Sequence, residues 1–293
     1  MASSDLARRV GVAAVGIPVA VLLVWFGGWP MGITLALLAA IGATELFAMG
    51  EALGIRPFRP LGAALAAGLV VFATDQGGFR GAAPYQFGAV VGVAFVAGLA
   101  CVALRKANER PLECASITLF APVYVGGGLA FAALLRGLDP AGSSWLGAAF
   151  VAYPLTVTWV GDTAAYFGGM RWGRRKLSPA ISPNKTVEGA IAGFAGSVAV
   201  GALFGWLVFD MWHGTGIGAA LGAVGAMLIS PAAQVGDLAE SLFKRQAGMK
   251  DSGRLLPGHG GVMDRFDAVL MALPVAYVYL AALVPRIVTV TWP

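Results

Sequence analysis

The chain has 293 residues, of which 58% are hydrophobic and only 12% are charged, and its formal net charge is +5. Soluble domains carry about 25% charged residues, so this composition excludes an ordinary soluble protein and indicates an integral membrane protein. The same hydrophobicity excludes a disordered chain. We attribute the positive charge to cytoplasmic loops rather than to nucleic acid binding.

Apolar runs that approach the roughly 20 residues needed to span a bilayer predict a series of helices along the chain. They lie at about 10–26, 30–49, 61–75, 85–104, 115–135, 146–167, 188–209, 216–243 and 263–284. The first run follows a basic start, but no small-residue cleavage site follows it, so we interpret it as a retained helix rather than a signal peptide. The sequence therefore predicts an all-α integral membrane protein with about nine transmembrane helices.

The distribution of lysine and arginine predicts the orientation, because these residues accumulate in cytoplasmic loops. If the N-terminus is cytoplasmic, 17 of the 20 basic residues fall on the cytoplasmic side, and only Arg80, Arg136 and Arg286 fall outside. This asymmetry favours a cytoplasmic N-terminus. We expect a multi-pass protein of the cell inner (plasma) membrane.

The two parts of the sequence differ in their loops. Residues 1–145 form an N-terminal region of about five predicted helices joined by short loops. Residues 146–293 form a C-terminal region of about four helices with two long basic loops, at about 168–187 and 244–262. We therefore expect the catalytic region in residues 146–293 and the active site on the cytoplasmic side.

Acidic residues within or beside the predicted spans are functional candidates, because charge in lipid is costly. Asp237 with Glu240, and Asp264 with Asp267, are spaced i and i+3 and so share a helix face. Two such faces would form an oxygen-rich site suited to Mg²⁺. The alternative is ion pairing at the helix ends, for example of Asp264 or Asp267 with Arg265 or Lys244. The acids within or beside the spans are Glu45, Asp162, Glu188, Asp237, Glu240, Asp264 and Asp267.

The later basic loop has a composition suited to phosphate. Lys250 and Arg254 follow a Lys-Arg pair and precede the sequence PGHGG. Glycines flanking His259 allow close backbone approach and positive φ, as a loop around phosphates requires. The sequence alone leaves His259 as either a phosphate-binding or proton-transfer group or a surface histidine.

The earlier basic loop ends in the sequence SPNKTVEG, which predicts a helix start with Thr186 as its N-cap. Lys185 and Glu188 flank this cap. Because a helix N-terminus favours anions, this segment is a second candidate for phosphate binding.

The segment from Ser241 to Asp267, SLFKRQAGMKDSGRLLPGHGGVMDRFD, resembles the signature of the phosphatidate cytidylyltransferases, or CDP-diacylglycerol synthases. That signature, S-x-x-K-R-x(4)-K-D-x(5)-P-x-H-G-G-x-x-D-R-x-D, is filled at every fixed position. The upstream sequence GDTAAYFGGMRWGRRKLSPAISPNKTVEG resembles a second block of the same family. The two blocks cover much of residues 161–267.

The resemblance implies that CTP and phosphatidic acid give CDP-diacylglycerol and pyrophosphate in phospholipid biosynthesis. It implies Mg²⁺ as the cofactor, with a second, monovalent or divalent, cation left open, and it suggests a homodimer in the lipid bilayer. Asp237 and Asp264 are expected to hold the metal, with Asp267 and Glu240 as further metal candidates. The expected catalytic residues are Asp237, Asp264, Lys244, Arg245 and His259. The expected substrate-binding residues are Lys185, Lys250, Asp251, Arg254, Arg265, Asp162, Ser182 and Glu188.

Other functions stay open from the sequence. A CTP-dependent lipid kinase acting on a polyprenol or phytol would attack the γ-phosphorus, and paired carboxylates do not exclude it. An ion-coupled transporter would also place acids in its spans, with a helix broken at Pro231. A transporter needs a charged path across the membrane, however, whereas the predicted outer half is nearly free of charge.

Overall fold

The computed structural model describes residues 14, 16–75, 79–139, 144–210, 218–253 and 260–291. Within these ranges the chain forms one short hairpin, one 3₁₀ turn (Ala107–Glu109) and nine longer helices: α1 (Gly16–Phe26), α2 (Gly28–Ala52), α3 (Arg59–Asp75), α4 (Phe79–Leu104), α5 (Pro111–Arg136), α6 (Ser144–Trp172), α7 (Val187–Phe209), α8 (Gly218–Gln246) and α9 (Met263–Thr291). Each predicted span overlaps one of these helices. The prediction of a helical membrane protein is therefore confirmed.

Five of the helices, among the described residues, are long and apolar enough to cross a membrane: α2, α5, α7, α8 and the part of α9 at Met263–Leu283. The apolar segments Gly16–Phe26 and Gly88–Leu104 are shorter. The number of nine membrane crossings stays a prediction.

Two helices change their hydrogen-bonding pattern along their length. The π-helical segment Pro122–Gly127 lies within α5, and Gly205–Phe209 ends α7. Pro122 has no backbone N–H to donate to the preceding turn, which accounts for the wider turn in α5. Hydropathy does not detect this change, because both segments remain apolar.

The chain divides into two compact units, and the first contains residues 1–137 together with 243–266. The aromatic rings of Phe120 and Tyr124 stack 5.2 Å apart, and Phe243 packs edge-on against both, at 5.7 and 6.0 Å. The end of α8 is thereby packed against α5. The segment that carries most of the C-terminal signature is part of the same unit as the N-terminal helices.

The second unit contains residues 138–242 and 267–293. Small residues bring its helices close together: a side chain added at Gly193 would meet Ala165, and one added at Gly222 would meet the backbone of Gly201. The Tyr153 hydroxyl donates to the carbonyl oxygen of Gly222 at 2.5 Å and so ties α6 to α8. These contacts explain part of the high glycine content, since small residues allow helix backbones to approach in lipid.

The predicted loop at about 168–187 contains secondary structure that the sequence did not predict. It contains a hairpin, β1 (Lys176–Ser178) paired antiparallel with β2 (Ser182–Thr186), and α6 extends to residue 172. These strands are short and polar, so they give no alternating hydrophobic pattern. The predicted cap is confirmed, because the Thr186 hydroxyl accepts from the N–H of Gly189 at 3.1 Å and α7 begins at the next residue.

Candidate active site

The predicted site residues lie on several elements. In chain order these are Asp162 on α6, Ser182 and Lys185 on β2, Glu188 on α7, Asp237, Glu240, Lys244 and Arg245 on α8, Lys250 and Asp251 after α8, and Asp264, Arg265 and Asp267 on α9. Arg254 and His259 lie outside the described residues. Asp237 belongs to the second unit and Asp264 to the first.

Four of these residues come together in the second unit, and we call Asp162, Lys185, Asp237 and Asp267 the charged cluster. The Lys185 ammonium forms an ion pair with Asp237, and both side chains are 30% exposed. Asp162 interacts electrostatically with Asp237, Asp267 and Lys185. The hairpin thus supplies one cation to a group of acids from three helices.

A close helix contact supports this arrangement. A side chain added at Gly236, beside Asp237, would collide with the backbone carbonyl of Asp267 and would come within 3.3 Å of the Cα of Ala268. Only a residue without a Cβ allows this approach. Gly236 therefore permits α8 and α9 to bring Asp237 near Asp267.

The charge balance of this cluster fits a divalent cation. Asp162 interacts electrostatically with Asp237 and Asp267, and Lys185 pairs with Asp237; neighbouring carboxylates of this kind favour a bound counter-ion. Among the residues that the structure describes, no group of three or more His, Cys, Asp or Glu side chains is placed to hold a metal ion. Mg²⁺ does not require one, since it is commonly held by one or two carboxylates with water and substrate phosphates. The predicted metal role of Asp237, Asp267 and Glu240 stays a prediction.

A different group of acids forms in the first unit, and we call Glu45, Lys244, Ser252 and Asp264 the capped cluster. Asp264 Oδ1 accepts from the Lys244 ammonium at 2.7 Å, and these side chains are 9% and 16% exposed. Asp264 Oδ2 accepts from the backbone N–H groups of Ser252 and Gly261, at 2.9 and 2.8 Å. The ion pair that the sequence left open as an alternative is thus present, and the metal role of Asp264 stays a prediction.

Glycines in the signature segment allow this network to form. A side chain added at Gly253 or Gly261 would collide with the Glu45 carboxylate, and one added at Gly260 would meet Asp264. Gly260 also has a φ of 79°, a conformation that glycine adopts without strain. The predicted positive φ is confirmed at Gly260, and these three glycines allow close approach to the carboxylates of Glu45 and Asp264 and to the Ser252 hydroxyl.

Glu188 acts within the second unit as a support for the hairpin. Its carboxylate accepts from the backbone N–H groups of Arg174 and Arg175, at 2.9 and 3.1 Å. These bonds hold the chain just before β1 against the start of α7. Direct substrate binding by Glu188 stays a prediction, while its hydrogen bonds position the hairpin that carries Lys185.

The sequence reasoning missed the roles of Glu45 and Ser252. Glu45 is 7% exposed and Ser252 is 2% exposed. An acid within the apolar run of α2 was a signal for Glu45, but nothing in its spacing pointed to a partner. No feature of the sequence pointed to Ser252 apart from its position inside the signature.

Comparison with known proteins agrees with this sequence pattern. Residues 7–283 match the profile of the cytidylyltransferase family. Two proteins named phosphatidate cytidylyltransferase are similar to the chain over most of its length. The protein from Synechocystis sp. is 33% identical, over 95% of this chain and 97% of the relative. The protein from Staphylococcus aureus (strain COL) is 34% identical, over 87% of this chain and 91% of the relative.

A protein of the same name from Brucella suis is 46% identical over 156 residues, which make up 53% of this chain and 54% of the relative. This alignment spans about half the length of the Brucella protein. The profile match, in contrast, extends along nearly the whole chain. The chain therefore belongs to the cytidylyltransferase family.

Proposed function

We propose that this protein transfers the cytidylyl group of CTP to phosphatidate and so forms CDP-diacylglycerol and pyrophosphate. The observation that supports this most directly is the near full-length similarity to two proteins named phosphatidate cytidylyltransferase. An anionic oxygen of the phosphatidate phosphate attacks the α-phosphorus of CTP, and the bond to the pyrophosphate oxygen breaks. The phosphate monoester supplies the nucleophile, so the reaction needs no nucleophilic side chain.

The reaction joins two polyanions, and basic side chains reduce their mutual repulsion. Lys185 lies at 30% exposure beside Asp237, and Lys250 is exposed on the loop after α8. We assign Lys185 and Lys250 to phosphate binding, together with Arg245 and Arg265, which are also exposed. Their charge would offset the negative charge that develops on the leaving pyrophosphate.

The cofactor that we propose is Mg²⁺. Asp237 and Asp162 are the aspartates that we assign to this ion, because they interact with each other beside Lys185 and Mg²⁺ is commonly held by one or two carboxylates with water and substrate phosphates. When bound, Mg²⁺ would neutralise phosphate charge and stabilise the departing pyrophosphate. The aspartates would hold the ion, while Lys185 would bind a phosphate oxygen once it leaves Asp237.

The proposed setting is the cell inner membrane. We infer nine membrane crossings, a cytoplasmic N-terminus and an active site on the cytoplasmic side from the asymmetry of the basic residues. This side suits the reaction, because CTP is water-soluble and the phosphatidate head group lies at the membrane interface. A homodimer is part of the same proposal.

A reconstituted assay tests the proposed function. Protein purified in detergent is incubated with CTP, Mg²⁺ and phosphatidate, and both CDP-diacylglycerol and pyrophosphate are measured. We expect equal amounts of the two products, and none when phosphatidate or Mg²⁺ is omitted. Absence of both products would overturn the proposal, and release of CDP with phosphorylation of a polyprenol or phytol acceptor would support a lipid kinase instead.

A further inference from the structure

Glu45 connects an N-terminal helix to the C-terminal signature. Its carboxylate on α2 is 7% exposed. Glu45 Oε2 accepts from the Ser252 hydroxyl at 2.9 Å, across 207 residues of sequence. Within the first unit, this contact fixes the signature segment to a helix that lies outside it in sequence.

Both oxygens of this carboxylate hold the start of α9. Glu45 Oε1 accepts from the N–H of Val262 at 2.9 Å, and Oε2 accepts from the N–H of Met263 at 2.8 Å. These donors are the residue just before α9 and its first residue, at the helix start where backbone N–H groups have no partner within the helix. Glu45 therefore supplies from another helix the anionic cap that α9 needs.

Ser252 extends this cap to Asp264. Its hydroxyl lies 2.9 Å from Glu45 Oε2 and 2.9 Å from Asp264 Oδ2, and its single proton can be donated to only one of them at a time. The N–H of Ser252 donates to the same Asp264 oxygen at 2.9 Å. The orientation of the Asp264 carboxylate thus depends on a serine that Glu45 holds.

We propose that Glu45 is a positioning residue for cytidylyl transfer: through Ser252 and the first turn of α9, it fixes the orientation of Asp264. This inference rests on the proposed function. The signature segment supplies Asp264 and its neighbours, but the carboxylate that holds them comes from α2. Because Glu45 is enclosed by protein donors, it acts through Asp264 and does not itself contact the substrate.

The test compares Glu45→Gln with Glu51→Gln, a matched change on the same helix. Glu51 is exposed and pairs only with Arg59, at 3.0 Å, among the described contacts. A glutamine at position 45 presents an NH₂ group to N–H donors and so loses part of the cap. We expect kcat to fall about 10- to 100-fold in Glu45→Gln, with the KM for CTP changed less than about threefold, and no change in Glu51→Gln.

Hydrogen–deuterium exchange provides a readout independent of activity. We expect the amides of residues 261–264 to exchange at least about tenfold faster in Glu45→Gln than in the wild type or in Glu51→Gln, in line with the loss of one charged hydrogen bond. If Glu45→Gln does not fold, Ser252→Ala removes only the bridging hydroxyl. It should also lower kcat while leaving the KM for CTP nearly unchanged.

The outcomes separate this inference from the proposed function. An active wild type whose kcat is unchanged by Glu45→Gln, or by Ser252→Ala, would overturn the positioning role alone. Unchanged exchange at residues 261–264 would also overturn it. A wild type that forms no CDP-diacylglycerol would instead overturn the proposed function.

Discussion

In the capped cluster, Asp264 accepts hydrogen bonds from Lys244, Ser252 and the backbone of Gly261. In the charged cluster, Asp162 interacts with two further aspartates and a single lysine. Both groups are built from aspartates that the sequence marked equally as candidates. Partners, rather than residue type, decide how firmly such an acid is held, because a carboxylate with several donors is fixed in one orientation and already compensated.

The largest expected effect is in the charged cluster. Asp237→Asn should reduce turnover by at least about 100-fold, a loss typical of removing a charged group that acts at a transition state. The thermal midpoint in detergent should change little, since the loss of the Lys185 ion pair is offset by relief of repulsion from Asp162. Product formation at saturating Mg²⁺ and the thermal midpoint are the measurements.

Arg56→Ala serves as the control for this change, because Arg56 uses its backbone carbonyl to accept from Arg105 and Cys114. It should keep nearly full activity. If Asp237→Asn retained substantial turnover at saturating Mg²⁺, the acids of the charged cluster would be structural and the comparison would fail.

A smaller effect, this time on stability, is expected in the capped cluster. Gly261→Ala places a Cβ against the Ser252 hydroxyl and the Glu45 carboxylate, so it should lower the free energy of unfolding by about 2 kcal/mol, as overpacking does. Denaturation in detergent measures this change. Gly68→Ala is the control, because nothing lies within 4 Å of a Cβ at that position. If Gly261→Ala and Gly68→Ala were equally stable, the capped cluster would not be tightly packed.

The smallest expected effect separates substrate binding from metal binding. Lys185→Gln removes the one ammonium from the charged cluster, so the KM for CTP should rise about 10-fold, or about 1.4 kcal/mol. The Mg²⁺ concentration needed for half-maximal activity should fall, because the remaining acids attract a cation more strongly. Lys176→Gln, at an exposed position on the same hairpin, should change neither the KM for CTP nor the Mg²⁺ requirement. A rise in both quantities in Lys185→Gln would contradict this account.

Most of the helical framework could be predicted from the sequence. Hydropathy over about 20 residues reports helices directly in a membrane protein, and the cap at Thr186 follows from a local rule. Features that depend on polar backbone contacts were not predictable in the same way. The hairpin at Lys176–Ser178 and Ser182–Thr186 is an example, since its short strands are set by pairing and by the bonds to Glu188.

The candidate site was predictable as a set of residues but not as a set of contacts. Spacing on one helix indicates which acids share a face, as for Asp264 and Asp267. It cannot indicate that Asp264 is enclosed with Lys244 and Ser252 while Asp267 lies near Asp162. The partner of Glu45 is 207 residues away, and a single sequence contains no signal for a pairing over that distance.

The cap that Glu45 provides has a consequence for how the protein is made. At about 5 to 20 residues per second, the ribosome completes α2 roughly 10 to 40 s before it completes residue 252, given the separation of 207 residues. During that interval the glutamate has none of its final donors, and a carboxylate in lipid costs about 3 kcal/mol. The nascent α2 therefore meets this cost without the donors that later offset it, until the ribosome reaches the start of α9 at Met263.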